Sequence, residues 1–152
     1  MADSNIPYDP KEEHTLVLIK PDGYKRGLIG EVIGRIERRG FKIVGLRTTV
    51  ATREELEDHY WEHAGKHYFE SLVEYMQSGP IVAMVVEGSR VIQAFRNMMG
   101  DTNPATALPG TIRGDLARDW GADAQMQNIV HGSDSPQSAD REIALWFPEM
   151  TD

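Results

Sequence analysis

One histidine in this sequence stands where it could act as a nucleophile. His131 follows the apolar pair Ile129 and Val130, and Gly132 and Ser133 come directly after it. A histidine at the end of a short strand, beside glycine and hydroxyl residues, suits an exposed imidazole, and neutral imidazole is a competent nucleophile toward phosphorus. A nearby carboxylate could hold its tautomer. The alternative interpretation is a histidine that only forms hydrogen bonds in a turn.

A long segment at 100–114, rich in Gly, Pro, Thr and Asn, is the second candidate. Loops of more than ~12–15 residues are usually functional or disordered. Pro104, Pro109 and three glycines shape this one, so it is unlike a linker. Glycine lets backbone N–H groups approach an anion, and Arg113 offers a planar fork for phosphate. The alternative is a compact surface loop with a solvated arginine.

Lys20 is the third candidate, because it ends the apolar run at 15–19 and precedes Pro21, Asp22 and Gly23. The end of a core strand is a frequent place for a functional charge. The alternative is a solvated lysine in a turn, and the local sequence leaves both interpretations open.

Three further histidines, His59, His63 and His67, have the i, i+4 spacing of a metal-binding helix face. Such a face needs an unbroken helix, and Gly65 weakens that prediction. We therefore treat these histidines and His14 as ordinary residues.

The elements that must position these residues follow from hydrophobic periodicity and turn signals. Short apolar or β-branched runs predict strands at 15–19, 41–51, 81–86 and 129–130. Helical spacing predicts helices at 28–39, 52–61, 68–76, 89–99 and 138–146. Thr52 with Glu55 forms a capping box, and Gly40 suits a helix C-terminus. This order indicates helices packed on a sheet, and a split βαβ arrangement of the ferredoxin-like type fits the count.

Length and composition predict one domain. The chain has 152 residues, of which 40% are hydrophobic. Residues 1–13 are polar and are predicted to form a flexible tail, and residues 14–152 a single domain. The N-terminus lacks the apolar core of a signal peptide, and no apolar run approaches the ~20 residues that cross a bilayer. We therefore expect a cytoplasmic protein without a membrane partner.

Charge and missing motifs exclude several classes of function. The net charge of −8 disfavours strong nucleic-acid binding. The absence of cysteine excludes disulfides and thiolate chemistry. The sequence contains no P-loop, no G-x-G-x-x-G after the first strand, no protein-kinase signatures and no G-x-S-x-G elbow. If this protein handles phosphate, it uses another design.

Four segments together resemble the nucleoside diphosphate kinase family: Ile-Lys-Pro-Asp-Gly at 19–23, Ser-Gly-Pro at 78–80, Pro-Gly-Thr-Ile-Arg-Gly-Asp at 109–115 and Asn-Ile-Val-His-Gly-Ser-Asp-Ser at 128–135. The resemblance runs from about residue 15 to 147. It implies an α+β, ferredoxin-like βαββαβ fold, a four-stranded antiparallel sheet covered by helices. It also implies a ping-pong reaction with broad base specificity, in which a nucleoside triphosphate donates its γ-phosphoryl group to His131 and a nucleoside diphosphate then takes it.

The resemblance also implies roles for individual residues. Glu142 orients the imidazole of His131 and pairs with Ser133, Tyr60 lies beside the histidine, and Lys20 contacts phosphate and the ribose hydroxyl. The residues implied in nucleotide binding are Lys20, Tyr68, Leu72, Arg96, Thr102, Arg113 and Asn128, where the arginines and Thr102 clamp phosphate and Asn128 binds the sugar 3′ hydroxyl. Mg²⁺ bridges the phosphates, and Asp134 contacts it through water.

The sequence departs from the family pattern at several positions. Tyr68 replaces a stacking phenylalanine, and His67 replaces the proline before it. About five extra residues fall within 116–127, where the family borders the base and lies near subunit contacts. The long C-terminal tail of many relatives is missing. We expect a homo-oligomer, with a hexamer favoured over a tetramer or a dimer.

Two hypotheses compete with the enzyme. The extra residues would suit a nucleotide- or partner-binding protein that keeps the fold without turnover, although every catalytic position carries the expected residue type. Nucleic-acid binding or cleavage is the other, and the acidic charge argues against strong binding.

Overall fold

A four-stranded antiparallel sheet forms the centre of the fold in a computed structural model, which describes residues 5–118, 121 and 126–150. The strands are β1 (His14–Ile19), β2 (Lys42–Thr49), β3 (Ile81–Glu87) and β4 (Val130–Gly132). They lie in the order β2-β3-β1-β4. Leu18 of β1 pairs with Ala83 of β3 on one side and with His131 of β4 on the other. The candidate nucleophile therefore lies on a short edge strand beside a strand that is buried along its whole length.

The described residues also form seven α-helices that cover this sheet. They are α1 (Pro21–Lys25), α2 (Ile29–Arg38), α3 (Arg53–His59), α4 (Phe69–Met76), α5 (Val91–Met99), α6 (Ile112–Leu116) and α7 (Pro136–Trp146). Short 3₁₀ turns occupy Trp61–His63 and Pro148–Met150. The predicted α+β, ferredoxin-like order is confirmed, with α3 and α4 inserted between β2 and β3. No helix in the described part of the chain is long and apolar enough to cross a membrane.

The sheet is covered on both faces, which explains the continuous apolar runs of β1 and β3. Side chains alternate across a strand, so Leu16 and Leu18 belong to one hydrophobic cluster and Val17 and Ile19 to the other. The first cluster includes buried side chains of α3, α4 and α7, and the second those of α2 and α5. Each helix that carries a candidate site residue is therefore anchored to the sheet.

Several boundaries differ from the sequence prediction, and three of the differences have a clear local reason. The segment after Lys20 forms α1 rather than a turn, because Pro21 is already set for the first helical position. The long loop ends in α6, since the Thr111 side chain accepts from the Gly114 N–H. Helix α7 begins two residues earlier than predicted, because Ser135 caps it by accepting from the Ser138 N–H at 3.1 Å.

The histidine face considered for a metal does not form. Helix α3 ends at His59, residues Trp61–His63 form a 3₁₀ turn, and Gly65 has a positive φ of 83°. The break at Gly65 places His59, His63 and His67 on different turns instead of one helix face.

Part of the predicted tail contacts the domain. Tyr8 stacks on His14 with ring centroids 3.9 Å apart, and the Asp9 N–H donates to Glu87 Oε2 at 2.8 Å. Glu13 Oε1 accepts from the Ile92 N–H at the start of α5. The flexibility of residues 1–13 and the domain limits 14–152 stay predictions, and residues 1–4, 151 and 152 lie outside the described residues. So do residues 119, 120 and 122–125 of the predicted extra segment.

Candidate active site

An open cavity of about 1050 Å³ collects almost all of the predicted site residues. Eleven of the twelve line it: Lys20, Tyr60, Tyr68, Leu72, Arg96, Thr102, Arg113, Asn128, His131, Asp134 and Glu142. The twelfth, Ser133, lies behind Glu142 and contacts it. Segments that are far apart in the sequence therefore meet in one place. His131, Lys20 and Arg113 share this cavity and are not isolated residues in solvated turns.

His131 is held by a carboxylate on α7. Its Nε2 lies 2.8 Å from Glu142 Oε1, and Ser133 Oγ donates to the same oxygen at 2.8 Å. Ser133 is fixed in turn to β1, because its Oγ accepts from the Leu16 N–H at 3.1 Å. An ionised carboxylate only accepts, so Nε2 of His131 carries the proton and Nδ1 carries the free lone pair. The His131 side chain is 19% exposed, so Nδ1 belongs to a ring that a ligand can reach.

A second histidine, which the sequence interpretation treated as ordinary, contacts this pair. His59 is buried at the end of α3, and its ring meets the His131 ring edge-on, with centroids 4.5 Å apart and planes at 73°. Its Nδ1 accepts from Trp146 Nε1 at 3.1 Å. Burial, with the nearby charge of His131 adding to it, lowers the pKa of His59 well below the ordinary value. His59 is therefore neutral, with its proton on Nε2.

His59, His131 and Glu142 form a donor set that a metal could be expected to use, since each offers a ligand atom within 4.8 Å of the others. The hydrogen bonds argue against this. A metal on Nε2 of His59 would require the proton on Nδ1, where Trp146 already donates. The trio fits a hydrogen-bonded nucleophile better than a metal centre.

Lys20 provides a buried amine to the lining of the cavity. Its Nζ donates to Asn128 Oδ1 at 2.8 Å, and Asn128 Nδ2 donates to the Thr102 carbonyl at 2.8 Å. Burial, followed by the charge of Arg113, lowers the pKa of Lys20 to about 7. This chain of bonds joins the end of β1 to the long loop and leaves the lysine sensitive to any anion that enters.

Arg113 lies beside Lys20 and is held by three backbone carbonyls. Its Nε donates to Asn128 O at 3.1 Å, and its two terminal nitrogens donate to Gly100 O at 3.0 Å and Val130 O at 2.7 Å. Burial, with the charge of Arg96 adding to it, lowers its pKa to about 10, so it remains charged. Each terminal nitrogen keeps a second N–H for a ligand. Arg113 therefore braces the loop and also presents positive charge to the cavity.

Tyr60 brings a hydroxyl group that lacks a partner among the described residues to the cavity that His131 lines. The oxygen is buried, and no hydrogen-bond partner is found for it among the described residues. Burial raises the pKa of this phenol, and the charge of Glu142 adds to the effect. Because buried polar groups are nearly always paired, an orphaned donor that lines a cavity indicates a ligand-binding position.

Another part of the cavity lining includes aromatic and apolar side chains. The Tyr68 hydroxyl is hydrogen-bonded to His63 Nδ1. Tyr68 is the N-cap residue of α4, and Leu72, which is largely buried, lies one turn further along this helix. His63 is a further cavity residue that the sequence interpretation missed. Because the Tyr68 hydroxyl is bonded to His63, the face of the Tyr68 ring can stack on a flat ligand in the cavity.

Comparisons with known proteins identify the family that this chain resembles. The family model described as nucleoside diphosphate kinase matches residues 13–151. A nucleoside diphosphate kinase of Archaeoglobus fulgidus is 56% identical over 137 residues, which are 90% of this chain and 87% of the relative. One from Saccharopolyspora erythraea is 57% identical over 139 residues, covering 91% and 98% of the two chains.

Solved structures give the same result. The apo nucleoside diphosphate kinase of Encephalitozoon cuniculi has a TM-score of 0.86 and 38% identity, covering 92% of each chain. The halophilic enzyme of Halobacterium salinarum in complex with CDP has a TM-score of 0.84 and 43% identity, covering 93% of this chain and 92% of that one.

Proposed function

Because this chain belongs to the nucleoside diphosphate kinase family and has nucleoside diphosphate kinase activity on nucleotide substrates, we propose that His131 carries the phosphoryl group between them. The observation that carries this proposal is the 2.8 Å contact between His131 Nε2 and Glu142, which leaves the Nδ1 lone pair free. Nδ1 attacks the γ-phosphorus of a nucleoside triphosphate, the N–P bond forms, and the bond to the β-phosphate oxygen breaks. A second nucleoside diphosphate reverses these events by a ping-pong mechanism.

Glu142 and Ser133 would stabilise the phosphorylated ring. No proton has to leave His131, since Nε2 keeps its hydrogen while Nδ1 takes the phosphoryl group. The ring then gains positive charge, and the buried carboxylate of Glu142 accepts from it more strongly. Ser133 donates to the same oxygen and fixes its place. The pair thereby orients the nucleophile in both half-reactions.

The cations would bind the phosphates and the charge that develops on them. Phosphoryl transfer spreads negative charge over equatorial oxygens, so positioning and positive charge supply most of the catalysis. Lys20, Arg96 and Arg113 line the cavity that holds His131. Thr102 and Asn128 add polar groups for phosphate and sugar, and the unpartnered Tyr60 hydroxyl would donate beside the transferred group.

Mg²⁺ is the cofactor that this proposal includes. Mg²⁺ prefers carboxylate and phosphate oxygens and keeps several waters. Asp134 lines the cavity with an exposed carboxylate, and its hydrogen bond with Ser138 lowers its pKa, so it is ionised at neutral pH. These features fit a carboxylate that holds the ion through water. When bound, Mg²⁺ would neutralise charge on the nucleotide phosphates.

The part of the cavity lining formed by Tyr68 and Leu72 supports broad base specificity. Tyr68 and Leu72 offer a stacking face and an apolar contact, and stacking is tolerant of base identity because every base has a π-face. The Halobacterium salinarum relative was solved with CDP, which supports a nucleoside diphosphate as the occupant here.

We further propose a homo-oligomer in the cytoplasm, with a hexamer favoured over a tetramer or a dimer. Strand β2 is an edge of the sheet, and two of the large hydrophobic side chains exposed on the chain, Leu46 and Val50, lie on it or next to it. Exposed edges are usually covered in native proteins. A mass of six times 17.1 kDa, measured by light scattering, would support the hexamer.

Labelling tests the proposed mechanism. We expect the protein to take a covalent label from γ-labelled ATP with Mg²⁺, to lose it in acid, to keep it in alkali and to pass it to GDP. His131→Ala should take no label while it still binds nucleotide. Label on His131→Ala would identify another nucleophile. Binding without any label on the unaltered protein would instead favour a nucleotide-binding protein.

A further inference from the structure

His59 joins the nucleophile to the hydrophobic core. On one side its Nδ1 accepts from Trp146, whose side chain is almost fully buried, and on the other side its ring meets the ring of His131. No hydrogen bond joins the two histidines among the contacts of the described residues. The contact is therefore a packing contact between rings, and its direction is set by the bond to Trp146.

The backbone of His59 is held from the same helix. Arg141 donates from its guanidinium to the Asp58 carbonyl at 2.8 Å and to the His59 carbonyl at 3.3 Å. Arg141 and Trp146 are both on α7, which also carries Glu142. One helix thus fixes the carboxylate that binds His131 Nε2 and the histidine that packs on the His131 ring.

This arrangement limits the freedom of the His131 side chain. The Glu142 bond fixes only one atom of the ring, and a ring held at one atom can still tilt. An edge-on neighbour 4.5 Å away blocks that tilt. Because the neighbour is neutral, it does so without placing a second positive charge beside a ring that becomes cationic on phosphorylation.

We propose that His59 is a positioning residue, whose ring, anchored by Trp146, holds the imidazole of His131 in the orientation in which Nε2 meets Glu142. This inference rests on the proposed role of His131 as the phosphoryl carrier. His59 itself does not take part in the transfer, and its effect is confined to the attack step. Nucleotide binding, which would rely on Lys20, Arg96 and Arg113 rather than on the orientation of the His131 ring, should change little.

The test compares His59→Gln with a matched exchange, His14→Gln. Glutamine can still accept from Trp146 but has no ring to pack on His131. His14 is also buried and pairs with a carboxylate, Glu87, at 2.9 Å, but it does not line the cavity. The two variants therefore lose the same side chain at similar burial, and only one loses the contact with the nucleophile.

The readouts are the single-turnover rate of phosphorylation by ATP, the dissociation constant for ADP and the ¹⁵N resonances of His131. For His59→Gln we expect phosphorylation to slow by about 10- to 100-fold, as expected for small misplacements of reacting groups. The dissociation constant should change less than about twofold, and the Nε2–H tautomer of His131 should become mixed. His14→Gln should keep the rate and the tautomer.

Several results would overturn the inference. An unchanged rate in His59→Gln would do so, as would equal losses of rate and nucleotide affinity, or equal slowing in His14→Gln. If His59→Gln does not fold, His59→Phe, which keeps a ring, is compared with His59→Leu, which has none. Equal rates of phosphorylation in these two variants would also reject the inference. Absence of label on the unaltered protein would refute the proposed function itself, so the two failures are distinguishable.

Discussion

We expect Lys20 to make nucleotide binding dependent on pH. Its ammonium group is buried and bonded to Asn128, and burial, followed by the charge of Arg113, lowers its pKa from 10.5 to about 7. This difference in pKa means that the buried site disfavours the charged form of Lys20, relative to water, by roughly 5 kcal/mol of free energy. An arriving polyphosphate reverses part of this penalty, because it places negative charge beside the ammonium. The pKa of Lys20 must therefore rise when nucleotide binds.

The sign of the effect follows from this rise. Below about pH 7 the lysine of the free protein is already protonated. Above that pH, binding must take up a proton, so the affinity should fall by up to about tenfold per pH unit until the pKa of the complex is reached. At pH 8 the free lysine is only about one-tenth protonated, so roughly 0.9 proton should be taken up for each nucleotide bound.

Calorimetry measures this uptake directly. Titration of ADP at pH 8 in two buffers of different ionisation enthalpy gives the number of protons exchanged. Lys20→Arg stays charged and Lys20→Gln is never charged, so each should take up about 0.9 proton fewer than the unaltered protein. The nucleotide's own titration is common to all three proteins and cancels. Equal uptake in the unaltered protein and in Lys20→Arg would refute the reasoning and would show that Lys20 is charged before the nucleotide arrives.

Three further substitutions test the remaining contacts of the cavity. Glu142→Gln removes a charge-assisted bond of about 1.5–3 kcal/mol, so His131 should be phosphorylated about 10- to 100-fold more slowly in a rapid-quench assay, with ADP affinity unchanged. Arg113→Ala should weaken ADP binding in calorimetry and slow transfer. It should also lower the free energy of unfolding by about 2–4 kcal/mol in urea, because three carbonyls lose their donor. A loss of stability alone would show that the loop is only structural. Tyr60→Phe removes a buried hydroxyl that has no partner among the described residues, so the free energy of unfolding should rise by about 1 kcal/mol. Phosphorylation of His131 should slow. An unchanged rate would show that the hydroxyl does not contact the substrate.

Much of the fold was predictable because its strongest signals are local. The apolar run of β3 and the helical spacing of α2 reflect burial against the sheet, and the capping box of α3 is present as predicted. Helix α1 was missed because its Pro-Asp-Gly start is equally typical of a turn. The Tyr75 hydroxyl, 53 positions away, accepts from the Asp22 N–H at 3.0 Å and stabilises this helix start. A contact over that distance leaves no signal in a local sequence window.

The same limit applies to the candidate site. Arg113 and His131 could be identified because each lies in a compact motif with unusual composition. His59 could not, since its neighbours in the sequence are those of an ordinary amphipathic helix. Its importance depends on Trp146, which is 87 positions away and meets it only after α3 and α7 pack together. Residues that act through packing become visible only with the tertiary structure.

Ile129 shows why the backbone near His131 also resists prediction. It was expected to start a strand, but its φ is 76°, which is a rare conformation for a β-branched residue. Such a conformation costs roughly 1–3 kcal/mol. Two bonds hold it in place, because the Ile129 N–H donates to Asp22 Oδ2 at 3.0 Å and its carbonyl accepts from the Lys20 N–H at 2.7 Å. The bonds therefore come from the residues that follow β1.

Glycine would adopt this conformation without strain, so the presence of isoleucine needs a reason of its own. The Ile129 side chain is fully buried, and a methyl group of it lies 3.1 Å from the position a Cβ would take at Gly23 in α1. Burying an isoleucine contributes roughly 1.5–3 kcal/mol, which is similar to the cost of the strained backbone. The side chain thus offsets the strain, and the bent backbone brings Asn128 to Lys20 while leaving His131 paired with β1. A glycine at 129 would keep the bend but lose the packing that holds α1 against it, and Lys20 and Asn128 would then be free to separate.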